Sequence, residues 1–138
     1  MANGSLTDII GTSGDDTMTN LLGFHTFYGL DGNDTMEGGA GTDVFDGGAG
    51  NDTVSYAHAY QRVFAYLDQS TNESGTAAQH DFYISIENLT GSAYSDYLEG
   101  DNGNNVLRGG GANDGNGGDV LRGMGGADTF VLDSYSPT

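Results

Sequence analysis

The sequence predicts an all-β fold, a right-handed parallel β-roll with a wider central section. The prediction depends on a nine-residue repeat, an excess of glycine and acid, and a scarcity of large apolar residues. The chain has 25 glycines, and 20 acidic residues face 3 basic ones, which gives a net charge of −17. Leu, Ile, Val and Phe make up about 19 % of the residues, and at such a charge this composition favours an unfolded chain. Because the acidic residues recur at a fixed interval among glycines, we expect bound cations to be part of the fold.

The first repeat block covers residues 11–55 and consists of five consecutive nine-residue units. In every unit the fourth residue is Gly and the eighth is a large apolar residue. The sixth residue is His25 in one unit and Asp in the other four. These four candidate metal ligands are Asp16, Asp34, Asp43 and Asp52.

A second repeat block covers residues 91–131 and contains three nine-residue units and one unit of 14 residues, 109–122. The sixth position of the nine-residue units gives Asp96, Asn105 and Asp128 as candidate ligands. In the long unit the ligand is either Asp114 or Asp119, depending on whether GGGAND or GNGGD forms the turn. The sequence leaves both alternatives open.

The central segment, residues 56–90, lacks the nine-residue period. Apolar residues alternate in 63–67 and in 82–86, which predicts two strands, and the polar stretch 69–80 between them predicts a loop. The simplest interpretation is a wider pair of coils that continues the same solenoid, and the alternative is a loop that bulges out of it. Either way we expect residues 1–138 to form a single domain.

Each nine-residue unit divides into a turn of six residues and a strand of three whose middle residue points inward. Two units make one coil, so each unit stacks on the next but one, about 4.8 Å away. This rule places Asp34 between Asp16 and Asp52, which predicts two good cation sites on one edge. On the other edge Asp43 faces His25, which we interpret as a degenerate turn residue, so that site is expected to be weak or empty.

The same rule applies to the second block. Asp96 is expected to pair with Asp114 or Asp119, and Asn105 with Asp128. The Asn105 site has one carboxylate fewer and is expected to bind its ion more weakly.

The predicted cages contain carboxylate and carbonyl oxygens in a flexible glycine-rich backbone. Six or more such oxygens suit Ca²⁺, whereas Mg²⁺ demands a tight octahedron and zinc favours His or Cys ligands. The chain has no cysteine. Roughly four to seven Ca²⁺ ions would cancel about half or more of the net charge, so folding and calcium binding are expected to be one process.

The units GGAGTDVFD (38–46) and GGAGNDTVS (47–55) match the pattern GGxGxDxUx, in which U is a large apolar residue. The chain therefore resembles the repeats-in-toxin (RTX) family over 11–55 and 91–131. The resemblance implies a bacterial protein that is exported by type I secretion, is unfolded in the low-calcium cytosol and folds outside the cell. The chain stops before the secretion signal expected of family members, which predicts a fragment with partner domains in a parent protein. The backbone carbonyls that the resemblance implies as further calcium ligands are those of Thr12, Gly14, Gly29, Leu30, Asp31, Gly32, Gly47 and Ala49.

The surplus of acid argues against nucleic acid as a partner, and no apolar stretch is long enough to insert in a membrane. We expect a monomeric, non-catalytic module, because nothing fixes His58, His80 and Asp81 in a catalytic geometry. The alternative function is a glycan-binding accessory module, of the alginate-binding kind, whose tyrosines would stack on sugars. We favour a role for the tyrosines in covering the wider coils.

Overall fold

The computed structural model describes residues 7–68, 81–111 and 118–133. Within these ranges every regular element is a β-strand, and no helix long and apolar enough to cross a membrane is present. The strands are β1 (Thr7–Ile10), β2 (Thr17–Thr19), β3 (His25–Tyr28), β4 (Thr35–Glu37), β5 (Val44–Asp46), β6 (Thr53–Ser55), β7 (Phe64–Tyr66), β8 (Phe82–Ile84), β9 (Asn88–Thr90), β10 (Tyr97–Glu99), β11 (Val106–Arg108), β12 (Val120–Arg122) and β13 (Thr129–Val131).

The strands form three parallel sheets, and on either side of the central segment their orders follow the rule that each unit stacks on the next but one. One sheet has the order β1-β3-β5-β8, the second has β2-β4-β6-β9-β11-β13, and the third has β7-β10-β12. In the first block, partner residues lie 18 positions apart, as in the pairs Met18 with Met36 and Phe27 with Phe45. The predicted all-β parallel solenoid is confirmed.

The core is a column of inward-pointing side chains from the eighth position of successive units. Because neighbouring strand residues point to opposite faces, only the middle residue of a three-residue strand can face the interior. Phe27, Phe45 and Tyr83 stack on one another with ring centroids 5.1 and 6.1 Å apart. The buried apolar residues of the core are Met18, Phe27, Met36, Phe45, Val54, Tyr56, Val63, Ala65, Leu67, Tyr83, Ile86, Leu89, Leu98 and Leu107.

The central segment joins the two blocks through strands of all three sheets. β8 pairs with β5, and β9 pairs with both β6 and β11. In an uninterrupted spiral β10 would stack on β8, but it pairs with the earlier strand β7. The solenoid therefore continues through 82–90, and the coil between the paired strands β6 and β9 contains two strands, β7, which pairs with β10, and β8, which pairs with β5. The predicted loop 69–80 lies outside the described residues.

Candidate metal centre

A ladder of hydrogen bonds connects the turns on one edge of the roll, which we call the Asp16 edge; its turns precede β2, β4, β6, β9, β11 and β13. The backbone N–H of Asp16 donates to Oδ1 of Asp34 (2.8 Å), and the N–H of Asp34 donates to Oδ1 of Asp52 (2.9 Å). The predicted stacking of these three aspartates is therefore present. Asp34 and Asp52 each use Oδ1 to bond the turn below, which leaves Oδ2 available for other partners.

The second carboxylate oxygens of three aspartates have no hydrogen-bond partner. Oδ2 of Asp34, of Asp43 and of Asp52 is buried and unpaired in the described part of the chain, and these residues are 1 %, 0 % and 0 % exposed. Leaving a buried carboxylate oxygen without a donor is costly, because burial removes the water that would otherwise solvate the charge. A cation beside each oxygen would remove that cost.

Glycine at the first position of each turn leaves room for such a cation. A Cβ on Gly29 would collide with Oδ2 of Asp34 and with the carbonyl oxygen of Gly47 in the turn above. The unpaired carboxylate oxygen and the carbonyl oxygen thus face the same small space between the two turns. Hard oxygen donors from side chain and backbone that converge in this way fit Ca²⁺.

Six of the eight predicted carbonyl ligands lie in this pair of turns, and those of Thr12 and Gly14 lie in the turn below. The carbonyl oxygen of Leu30 accepts the N–H of Ala49 (2.7 Å), and the carbonyl oxygen of Ala49 accepts the N–H of Gly32 (3.0 Å). Each carbonyl oxygen has a second lone pair that could reach a cation. Ligation by these and by the other predicted carbonyls, including those of Gly14 and Asp31, stays a prediction.

The first turn of each repeat block is closed by a hydroxyl group at its second position. The N–H of Thr12 donates to Oδ2 of Asp16 (2.6 Å) and its Oγ1 to the same carboxylate, and Ser92 holds Asp96 in the same way. Burial raises the pKa of Asp96 to about 6, although its hydrogen bonds with Ser92 lower it. Asp16 and Asp96 therefore accept hydrogen bonds at Oδ2 from their own turns. Oδ2 of Asp34, Asp43 and Asp52 has no such donor.

Sequence reasoning missed Glu87, which continues the Asp16 edge above Asp52. Asp52 N–H donates to Oε2 of Glu87 (2.8 Å), and a Cβ on Gly47 would collide with the carbonyl oxygen of Ser85 and with Oδ2 of Asp52. Burial raises the pKa of both Asp52 and Glu87. Glu87 stands two residues before the buried Leu89, the spacing that the aspartates keep in the repeats, and this signal was available in the sequence.

The opposite edge, which we call the His25 edge, has turns that precede β3, β5 and β8. His25 is buried, its N–H donates to Oδ1 of Asp43 (2.9 Å), and its Nδ1 lies 3.3 Å from the same oxygen. Burial raises the pKa of Asp43 to about 6, although the contacts with His25 lower it. The imidazole thus lies where a unit with aspartate would place a carboxylate.

In the second block the stacked partner of Asp96 is Asp119, since Asp96 N–H donates to Oδ1 of Asp119 (2.9 Å). Asp114 lies outside the described residues. Asn105 N–H donates to Oδ1 of Asp128 (2.9 Å), so the predicted pair is present. The side-chain amide of Asn105 bonds the carbonyl oxygen of Glu87 (2.8 Å), which links this block to the central segment.

In the described ranges, no group of three or more His, Asp or Glu side chains is arranged to hold a metal ion without further ligands. A cation between two turns would therefore need backbone carbonyls as well as two carboxylates. This requirement agrees with the arrangement of glycines and carbonyls around Asp34.

Comparison with known protein families identifies the nine-residue repeat. The sequence model of the RTX calcium-binding nonapeptide repeat matches residues 26–54, 85–115 and 114–134, in four copies. The chain belongs to this family. The comparison with curated proteins found no match. RTX repeats bind Ca²⁺, and the unpaired oxygens of Asp34 and Asp52 lie within a matched range.

Proposed function

We propose that this RTX chain is a calcium-operated folding module, which winds into the β-roll only when Ca²⁺ enters the spaces between stacked turns. The observation that carries the proposal is the set of buried, unpaired Oδ2 atoms of Asp34, Asp43 and Asp52. A chain with a net charge of −17 repels itself, and three uncompensated buried carboxylates add to that cost. Each Ca²⁺ would supply two positive charges beside these buried carboxylates, where the electrostatic cost of folding is greatest.

The module is proposed to act outside a bacterial cell as part of a larger secreted protein, and to have no catalysis of its own. Extracellular calcium modules have dissociation constants of about 10⁻⁴–10⁻³ M, well above cytosolic calcium. A site assembled from two turns of an otherwise unfolded chain falls in this weak class, since part of the binding energy is used to order the chain. The chain would then stay open during export and fold on release.

Hydrogen–deuterium exchange tests the proposal residue by residue. In chelator we expect the amides of β2, β4 and β6 to exchange as in an unfolded chain, and in millimolar Ca²⁺ we expect them to be protected together. Magnesium at the same concentration is the matched control and should give little protection. Strand protection that is equal in chelator and in calcium would overturn the proposal.

Glycan binding by this chain stays a prediction. The tyrosines that motivated it are in part structural, since Tyr56 and Tyr83 are buried in the core and Tyr66 packs on Tyr97 with ring centroids 5.4 Å apart. Titration with alginate oligomers at saturating calcium tests it directly. Chemical-shift changes confined to exposed tyrosines such as Tyr60 would support it, and an unchanged spectrum would rule it out for these ligands.

A further inference from the structure

A turn of only three residues, 85–87, connects β8 to β9 on the Asp16 edge, and we call it the shortened turn. A repeat turn has six residues and several glycines, whereas the shortened turn has no glycine. The N–H of Gly47 donates to the carbonyl oxygen of Ile84 (2.9 Å), and the first glycine of the turns below makes the same bond to the last strand residue above it. Ser85, which follows Ile84, therefore takes the place of the first glycine of a repeat turn.

The carbonyl oxygen of Ser85 and Oδ2 of Asp52 border one small space between their turns. A Cβ added to Gly47 would collide with both of these oxygens. Asp52 is 0 % exposed, and its Oδ2 has no hydrogen-bond partner in the described part of the chain. A buried, unpaired carboxylate oxygen is thus directed into the space below the shortened turn, where a carbonyl oxygen meets it.

Glu87 brings a second carboxylate to this space. Its Oε2 accepts the N–H of Asp52 (2.8 Å), just as Oδ1 of Asp52 accepts the N–H of Asp34 (2.9 Å). Glutamate is one methylene longer than aspartate, which lets it make this bond from a turn that is three residues shorter. Because a carboxylate oxygen can accept more than one bond, the carboxylate of Glu87 can contact Asp52 and a cation together.

An amide group occupies the opposite side of the shortened turn. Nδ2 of Asn105 donates to the carbonyl oxygen of Glu87 (2.8 Å) and to Oδ1 of Asp101 (3.1 Å). Asn105 is buried, so its N–H groups are fixed in the place that a cation above Glu87 would need. An ion at the shortened turn therefore belongs below it, beside Asp52.

The two carboxylates at this space lack a basic partner. In the described ranges neither Asp52 nor Glu87 forms an ion pair with an arginine or a histidine. Two neighbouring carboxylates without a counter-charge repel each other, and the repulsion is stronger in a buried place than in water. A divalent cation between them would turn this repulsion into attraction.

We propose that a calcium ion binds between the shortened turn and the turn of Asp52, and joins the first repeat block to the central segment. Its ligands are Oδ2 of Asp52, the carboxylate of Glu87 and the carbonyl oxygen of Ser85, completed by further backbone or water oxygens. The inference rests on the proposed function, but it concerns one site. A range matched by the RTX model begins at residue 85, yet the shortened turn lacks the glycines and the aspartate of the repeat, so the match assigns no ligand there.

The number of bound ions tests this site. Native mass spectrometry of the whole chain in calcium should show one ion fewer for Glu87→Gln than for the unaltered protein. Glu99→Gln is the matched control, because Glu99 lies on β10 outside any turn and accepts the hydroxyl of Tyr97, so its loss should leave the number unchanged. An unchanged number in a folded Glu87→Gln variant would overturn the site, while the other calcium sites would stand.

A crystal structure of the unaltered protein with calcium decides the matter if Glu87→Gln does not fold. Anomalous scattering should place a calcium ion about 2.3–2.6 Å from Oδ2 of Asp52 and from the carbonyl oxygen of Ser85. Calcium between the turns of Asp34 and Asp52, but none below the shortened turn, would overturn the site alone. If no form of the protein binds calcium, the proposed function itself fails, and the site with it.

Discussion

The backbone N–H of Asp34 donates to Oδ1 of Asp52 at 2.9 Å, while Oδ2 of Asp34 lies buried and unpaired in the space between their turns. Asp34 also accepts the N–H of Asp16 through its Oδ1. One aspartate thus contributes to the space above and to the space below it. If an ion lies in each space, the first ion to bind orders a turn that also supplies ligands to the neighbouring site. Binding of the next ion then costs less ordering, which makes binding cooperative.

We predict that Asp34→Ala weakens calcium binding more than Asp43→Ala. Asp34 has aspartates both above and below it, whereas Asp43 has His25 below. Losing the interaction of a buried carboxylate with a charged partner costs about 1.5–3 kcal/mol. This cost corresponds to a roughly tenfold or larger increase in the calcium concentration at half saturation. Calcium titrations of the two variants and of the control Asp46→Ala measure the effect. Equal losses in Asp34→Ala and Asp43→Ala would contradict the stacking.

Replacing His25 with Asp should create an additional calcium site on the His25 edge. The imidazole now lies against Oδ1 of Asp43, and a carboxylate there would supply the free oxygen that the space lacks. Equilibrium dialysis should show about one more ion for His25→Asp than for the unaltered chain, as expected for a completed two-turn cage. His25→Ala is the control, because it removes the imidazole without adding an oxygen. A folded His25→Asp variant with an unchanged ion count would refute this prediction.

Leu30→Gly should stabilise the calcium-bound protein. Leu30 has φ 78°, close to the 77° of Gly39 and 83° of Gly48 at the same position of other turns, and it is 47 % exposed. A left-handed conformation costs a branched side chain about 1–2 kcal/mol, which glycine avoids. The free energy of unfolding in urea at saturating calcium measures the gain. Leu22→Gly, at an exposed residue without positive φ, should bring none, so equal gains in both variants would contradict the explanation.

Calcium binding should strengthen as pH rises from about 5 to about 7. Burial raises the pKa of Asp43 to about 6, so near that pH the folded chain without calcium holds a proton that the unfolded chain has released. This proton stabilises the folded chain below pH 4, and that contribution is lost as pH rises through the folded pKa. A cation beside the unpaired Oδ2 of Asp43 would replace the proton, so calcium binding is expected to release it.

Isothermal titration in two buffers of different ionisation enthalpy measures the proton release. We expect protons to be released at pH 6 by the unaltered chain and fewer by Asp43→Asn. A heat of binding that is independent of the buffer would show that the buried carboxylates are already ionised.

The repeat part of this structure could be predicted from the sequence, because the residues that define each turn and strand recur within every nine-residue unit. Gly at the fourth position, Asp at the sixth and an apolar residue at the eighth place Asp16, Asp34 and Asp52 in one stack, and the structure contains that stack. The choice between Asp114 and Asp119 depended on the path of a longer turn. The structure stacks Asp119 on Asp96.

The central segment was harder to predict because its partners are distant in sequence. Asp81 and Glu87 lack the glycines that mark a repeat turn, and only their spacing to Tyr83 and Leu89 reveals their role. The pairing of β7 with β10 could not be predicted from the sequence of either strand alone. Strand pairing over such separations depends on which inward-pointing side chains fit together, a property of the whole core.

Far-UV circular dichroism of the chelated protein during a calcium titration measures whether Ca²⁺ converts the unfolded chain into the β-roll, with magnesium as the control. We expect a sigmoidal transition from coil to β-structure with Ca²⁺, at about 10⁻⁴–10⁻³ M, and almost no change with Mg²⁺. A chain that is already β-structured in chelator and does not respond to calcium would contradict it.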